Sequence, residues 1–146
     1  MELPIRLSKD SREPIYHQIE EQMKALIAGG QLPAGTPLPS IRALSKELEI
    51  SVITIRRAYL NLEHEGFIFT LQGKGTFVAE VETKKMKEVT TLSVYQAIEK
   101  SIVTALRHDY TYEQIEEVFH DVIATMKKKG ESDHARDRNE RRKEEN

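Results

Sequence analysis

Only two residues, Glu49-Ile50, separate one helical stretch from the next, and no other feature constrains the fold of this chain as strongly. Before them, Ser40 can cap a short helix that turns Ile41, Leu44 and Leu48 inward. After them, Ser51 can cap a longer helix with Ile55, Tyr59 and Leu62 on its inner stripe. So short a joint forces a sharp corner, which predicts a helix-turn-helix. Upstream, Ile15, Ile19, Met23, Leu26 and Ile27 recur at helical spacing from Pro14, with Glu20, Glu21 and Lys24 facing away, until Gly29-Gly30 ends the pattern. The prolines and the glycine of Leu32–Pro39 exclude a regular helix and read as a rigid loop. Downstream of Gly66 the period changes. Phe67–Leu71 and Thr76–Ala79 are strand candidates around the turn Gln72-Gly73-Lys74-Gly75, so a β-hairpin follows the third helix.

The remainder reads as helical. Residues 80–91 form a charged, partly helical connector, and two helices follow over Ser93–His108 and Tyr112–Lys129. Thr111 to Gln114 is a capping-box pattern, and Gly130, after Lys127-Lys128-Lys129, ends the last helix. Residues 131–146 contain no large apolar side chain and are expected to be a charged, disordered tail. The predicted fold is mainly α with a small β-hairpin wing. It comprises a winged helix-turn-helix over 1–79, the connector, and a two-helix dimerisation hairpin over 92–130.

Composition removes several classes of function. With no cysteine there are no disulfides, thiolate metal sites or cysteine nucleophiles. No apolar run approaches the roughly 18 residues that span a bilayer, and no signal-peptide pattern opens the chain, so a cytoplasmic protein without a membrane partner is expected. His108-Asp109 and His120-Asp121 could meet across the hairpin, but no histidine pair has i, i+4 spacing; no metal site is expected. Nothing resembles a nucleophile elbow, a phosphate loop or a paired acid–base site, which predicts a non-enzyme without a cofactor. Glu113, Glu116, Glu117 and Asp121 read as a solvated helix face.

Net charge is −2, and residues 1–79 hold nine basic against nine acidic side chains. A cationic surface for nucleic acid must therefore come from placement. Arg42 and Lys46 align at i, i+4. Ser51 and Thr54 occupy the first turn of the third helix, where hydroxyls and free backbone amides can meet phosphate. Arg56 and Arg57 follow one turn in, Arg57 and Asn61 share a face away from the Ile55–Tyr59–Leu62 stripe, and Lys74 stands at the wing tip beside Gly73. Glu20, Glu21, Glu63 and Glu65 can occupy other faces.

Several of these segments, in order and spacing, resemble the DNA-binding module of the GntR family of bacterial transcription regulators. They are Leu38-Pro39-Ser40-Ile41-Arg42, Leu44-Ser45, Leu48, Ser51 through Arg57, Ala58 through Ile68, and Gly73 through Val78. The similarity spans roughly residues 12–80. It implies DNA contacts by Arg42, Ser51, Thr54, Arg56 and the wing glycine Gly73. Val52 and Ile53 depart from the family pattern, because many members carry Arg and Thr there. As exposed apolar side chains they are suited to thymine methyl groups. Only 67 residues follow Ala79. A two-helix segment of that size is similar to the YtrA-like subfamily, which implies a dimeric repressor of a palindromic operator, often one that controls a transporter operon.

Apolar patterning reaches dimerisation independently. Tyr95, Ile98, Ile102, Ala105 and Leu106 form one stripe; Ile115, Val118 and Val122 form a second, with Phe119, Ile123 and Met126 beside it. A two-helix hairpin uses about one seam per helix, so the surplus face needs the first domain or a second subunit. A homodimer also matches a palindrome. A small-molecule effector is left open, since no pocket is legible. The competing reading is a protein-interaction adaptor without DNA readout, favoured by Val52-Ile53 and the neutral charge.

Overall fold

A computed structural model describes residues 2–144 and divides the chain into two compact units, the first ending at Tyr95 and the second beginning at Gln96. The first unit contains α1 (Ile15–Ala28), β1 (Pro37–Leu38), α2 (Ile41–Leu48), α3 (Val52–His64), β2 (Ile68–Leu71) and β3 (Gly75–Val78). Its core is the set of side chains that periodicity turns inward: Ile19, Met23 and Ile27 from α1, Leu44 from α2, and Ile55 and Leu62 from α3. Phe67 and Val78 close it from the sheet side.

Side-chain caps start α2 and α3. The Ser40 hydroxyl accepts the Ala43 amide at 3.0 Å, and Ser51 accepts the Thr54 amide at 3.4 Å. At the corner between them Glu49 takes φ 56°, a left-handed value that lets the Ile50 amide reach back to the Ser45 carbonyl at 3.1 Å. Gly66, at φ 83°, ends α3 in the same way, and the Phe67 amide bonds the Leu62 carbonyl at 2.9 Å. That reversal drives the Phe67 ring into the core.

The wing differs from expectation by one strand. Pro37–Leu38, read as loop, pairs antiparallel with β3 (Pro37 opposite Phe77, Leu38 opposite Thr76), giving a three-stranded sheet of order β1-β3-β2. Proline is tolerated there because β1 is an edge strand. A second addition lies at the N-terminus, where Leu3 and Ile5 are buried. The Gln22 side chain bonds both the amide and the carbonyl of Arg6, and Gln18 does the same for Ser8, so two glutamines one turn apart strap this segment along α1.

The connector expected over 80–91 is partly helical, but the helix start expected at Ser93 is corrected: α4 begins inside the connector and runs unbroken over Thr83–Arg107. The cause is packing. Val81, Met86 and Val89 lie against the first unit's core, and Lys85 Nζ donates to the Glu65 carbonyl. The disordered tail expected over 131–146 is corrected as well, since α5 extends over Tyr112–Glu144, through Gly130; residues 145–146 lie outside the described residues. One internal glycine costs a helix about 1 kcal/mol, which flanking Lys, Arg, Glu and Ala residues can offset. Asp137 and Arg141 also have the favourable i, i+4 order, and Arg141, Arg142 and Lys143 suit the C-terminal dipole. The capping box is formed: the Thr111 amide bonds Gln114 Oε1 at 2.9 Å, and the Gln114 amide bonds Thr111 Oγ1 at 3.2 Å.

A buried tyrosine and a half-buried lysine make the first unit sensitive to alkali. Burial, then the nearby Glu47 carboxylate, pushes the Tyr59 phenol above its ordinary value; its hydroxyl donates to the Pro39 carbonyl at 2.7 Å. Burial alone lowers the Lys24 ammonium, but Glu65 at 2.6 Å and Glu21 at 3.5 Å outweigh it and leave the value raised. Both groups are raised in the folded state. Their contribution is complete below about pH 10 and is lost as pH climbs through the folded values. Thermal melts are expected to be level between about pH 8 and 9.5 and to fall above about pH 10, with a shallower fall for Tyr59→Phe.

Candidate nucleic-acid interface

Where the N-terminal turns of α2 and α3 meet the start of β3, at the tip end of the wing, a groove of about 400 Å³ opens to solvent. Its walls are Ser40, Ile41 and Arg42 from the start of α2, Val52 and Arg56 from α3, and Leu38, Gly75 and Thr76 from the sheet. Two consecutive helices and the sheet thus place Arg42 and Arg56 on one groove, and no carboxylate lines it. Among the described residues, none of Arg42, Lys46, Arg56 and Lys74 is held in an ion pair. At the edge of the groove Ser51 Oγ and Thr54 Oγ1 lie 2.8 Å apart, exposed enough to meet a ligand while they cap α3.

The wing carries its cation at the far end of β2 and β3. The Lys74 amide closes the turn on the Leu71 carbonyl at 3.0 Å, with Gly73 at φ 78° in the third position, where a side chain would be strained. Phe69 and Phe77, directly opposed across the strands with ring centroids 5.7 Å apart, stiffen the hairpin. Lys74 and Lys46 are exposed outside the groove, Lys46 in the last turn of α2.

Two site expectations change. Arg57 and Asn61 do share a face, but it is the face packed against α1. The Arg57 guanidinium stacks 3.9 Å from the centre of the Tyr16 ring, and Asn61 Nδ2 donates to the buried Glu20 carboxylate at 2.5 Å. With Lys24 and Glu65 one turn further, these pairs are rungs of constant offset between two helices running in the same direction. Asn61 is therefore used inside the module and does not reach the groove. Arg57 remains exposed, fixed in orientation by Tyr16. The Val52-Ile53 pair also divides: Val52 is half-buried in the groove wall, and only Ile53, 76% exposed, stands free. Ser40, Thr76 and Tyr16 were missed as parts of the site. Ser40 reads as a cap and Thr76 as a strand residue, and only the pairing of β1 with β3 brings them together.

A tight helix-turn-helix, a wing beside it and an acid-free cationic groove where they meet define a winged helix-turn-helix DNA-binding module. Comparison with known proteins agrees. The family described as "Bacterial regulatory proteins, gntR family" matches residues 15–78. The HTH-type transcriptional repressor YtrA of Bacillus subtilis is 32% identical over 123 residues, covering 84% of this chain and 95% of that protein. The HTH-type transcriptional repressor NagR of the same organism is 43% identical over 76 residues, 52% of this chain but only 31% of NagR. The chain thus spans about a third of NagR and nearly all of YtrA. The structure of YtrA from Sulfolobus acidocaldarius, a GntR-family transcription factor, superposes with a TM-score of 0.51 at 36% identity, covering 65% of this chain and 97% of that one. The chain belongs to the GntR family, and its similarity to YtrA is consistent with the YtrA-like subfamily. These relatives are transcriptional regulators, not enzymes. Among the described residues no helix is long and apolar enough to cross a membrane.

Proposed function

We propose that this regulator is a homodimeric repressor that reads a palindromic operator, with one groove on each half-site and a neighbouring transporter operon as its target. The observation that carries the reading is the convergence of Arg42 and Arg56 on one groove beside the wing with no acid lining it. Arginine forks are suited to guanine edges and phosphates, and Ser51, Thr54 and Lys74 to the flanking backbone. Gly73 lets the wing backbone approach closely, and Val52 and Ile53 suit apolar contact with thymine.

The second unit supports the dimer. α4 and α5 make few close approaches to each other, and an apolar groove of about 680 Å³ opens between them, lined by Ala105, Ile115, Val118, Phe119 and Val122 among others. Ile115 is buried, and Ile102 and Phe119 are half-buried. Ile98, Leu106, Val118, Val122, Ile123 and Met126 remain exposed in this unit, as does Tyr95 at the end of the first, more apolar surface than a monomer normally leaves exposed.

The test is binding of fluorescent duplexes carrying palindromes from the DNA upstream of the gene, against scrambled duplex, across a salt series. A preference for the palindrome is expected; equal affinity at every salt concentration overturns the reading. Arg42→Ala and Arg56→Ala are each expected to weaken operator binding by about 1–3 kcal/mol without lowering the melting temperature. Asn61→Ala should do the reverse, lowering stability by about 1–3 kcal/mol as Glu20 loses its partner, with little change in half-site affinity.

A further inference from the structure

Across the wing one row of residues runs from the sheet to the reading helix. Leu38 of β1 stands opposite Thr76 of β3, and Thr76 opposite Thr70 of β2, with the two threonine hydroxyls 3.2 Å apart. The Thr70 amide takes no part in the ladder. Ala79 donates to the Phe67 carbonyl, so the hydrogen-bonded positions of β2 are Phe67, Phe69 and Leu71, and Thr70 between them turns its N–H away from β3. That side of β2 is an edge of the sheet. The acceptor found there is the carboxylate of Glu63, on α3, at 3.1 Å. Glu63 follows Arg56 by seven residues, close to two turns, so one line along α3 carries an arginine of the groove and the carboxylate that holds the wing.

An exposed backbone amide needs no such partner, because water would serve. What the carboxylate adds is direction. Thr76 lines the groove with Arg42 and Arg56, and beyond this row, past the reach of β1, the wing is a two-stranded ribbon, marginal by itself, that carries Lys74. We propose that Glu63 is a positioning residue for DNA binding: through the Thr70 amide it sets the angle of the wing against α3, and so aims Lys74 at the phosphate backbone while Arg42 and Arg56 occupy the bases. Charge alone argues the opposite, since an exposed carboxylate repels phosphate and its loss should tighten binding. The two effects can be separated. Glutamine keeps a side-chain oxygen at the same reach without the charge, so Glu63→Gln and Glu63→Ala differ in the hydrogen bond and agree in charge.

The proposal rests on the reading of Lys74 as a phosphate contact, and the experiment separates the two. Affinities of the full chain for a palindrome from the DNA upstream of the gene are measured across a salt series. The proteins are wild type, Glu63→Gln, Glu63→Ala, Lys74→Ala and the two double variants that combine Lys74→Ala with a change at Glu63. Lys74→Ala is expected to weaken binding about tenfold and to lower the salt slope by about one per module. Glu63→Gln should bind at least as tightly as wild type. Glu63→Ala should bind about fivefold more weakly than Glu63→Gln, with a shallower salt slope, while the two melt alike. Without Lys74 the gap between them should close to less than about twofold. Equal affinities of Glu63→Gln and Glu63→Ala with Lys74 in place overturn the proposal, as does a gap that persists in the Lys74→Ala background. A Lys74→Ala protein with the wild-type affinity and slope overturns instead the phosphate contact on which the proposal rests.

Discussion

Phe67→Ala is expected to abolish operator binding near 37 °C, although Phe67 lies outside the groove and is almost fully buried. The loss comes through stability. Truncating a buried phenylalanine costs about 3–5 kcal/mol, a large share of what holds a domain of this size together. Two features put this position at the upper end. Phe67 follows directly on the left-handed Gly66 that ends α3, so its ring anchors the change from helix to sheet. Lys24 and Lys85 also rest their ammonium groups over that ring, at 5.6 and 4.9 Å, and both lose that face along with the packing. At roughly 4–8 °C per kcal/mol for a small domain, the melting temperature should fall by about 15–30 °C. Phe67→Leu, which fills most of the volume, should cost less than half as much and retain binding at low temperature. Melting curves and DNA titrations on the same samples check the pair; a drop of only a few degrees for Phe67→Ala contradicts the anchoring role.

Much of this was legible in the sequence because the relevant signals are local. Ser40, Ser51, Gly66 and the Thr111–Gln114 box act within one turn of themselves, and each does in the structure what its chemistry suggests. The inner stripes of α1, α2 and α3 follow from the helical period alone. What was not legible depends on partners far along the chain. Asn61 looks like a free polar residue beside Arg57 until Glu20, forty-one positions earlier, is placed against it. Pro37–Leu38 looks like a loop until β3 offers an edge. The charged stretch 80–91 conceals Val81, Met86 and Val89 at core-reaching positions among lysines and glutamates, and composition outweighed spacing there. The same bias toward composition hid the helical extension beyond Gly130. Leu3, Ile5 and Leu7 alternate at the two-residue period of an extended strap, a signal present in the sequence but easily lost in so short a segment.

Val118→Asp combined with Val122→Asp is expected to give a folded monomer whose affinity for the palindrome is about 100-fold or more below wild type. The choice of positions decides what the experiment can show. Both side chains stand about half exposed in the isolated chain, so a carboxylate at either stays hydrated in the monomer and costs its fold little. Placed against a second copy, two carboxylates per chain would be buried without partners, a cost of several kcal/mol that weakens pairing. Ile115, buried in the turn region of the hairpin, would not serve, because a charge there destabilises the monomer itself. The loss on DNA follows from linkage: once one module is bound, the second half-site is reached at the high effective concentration the dimer provides, and a monomer forfeits that gain. Affinity for a single half-site should be unchanged. This separates the variant from Arg42→Ala, which should weaken half-site and palindrome together. Sedimentation at about 10 µM, where wild type should run as a dimer, completes the test; a wild type that sediments as a monomer there removes the reason for a palindrome.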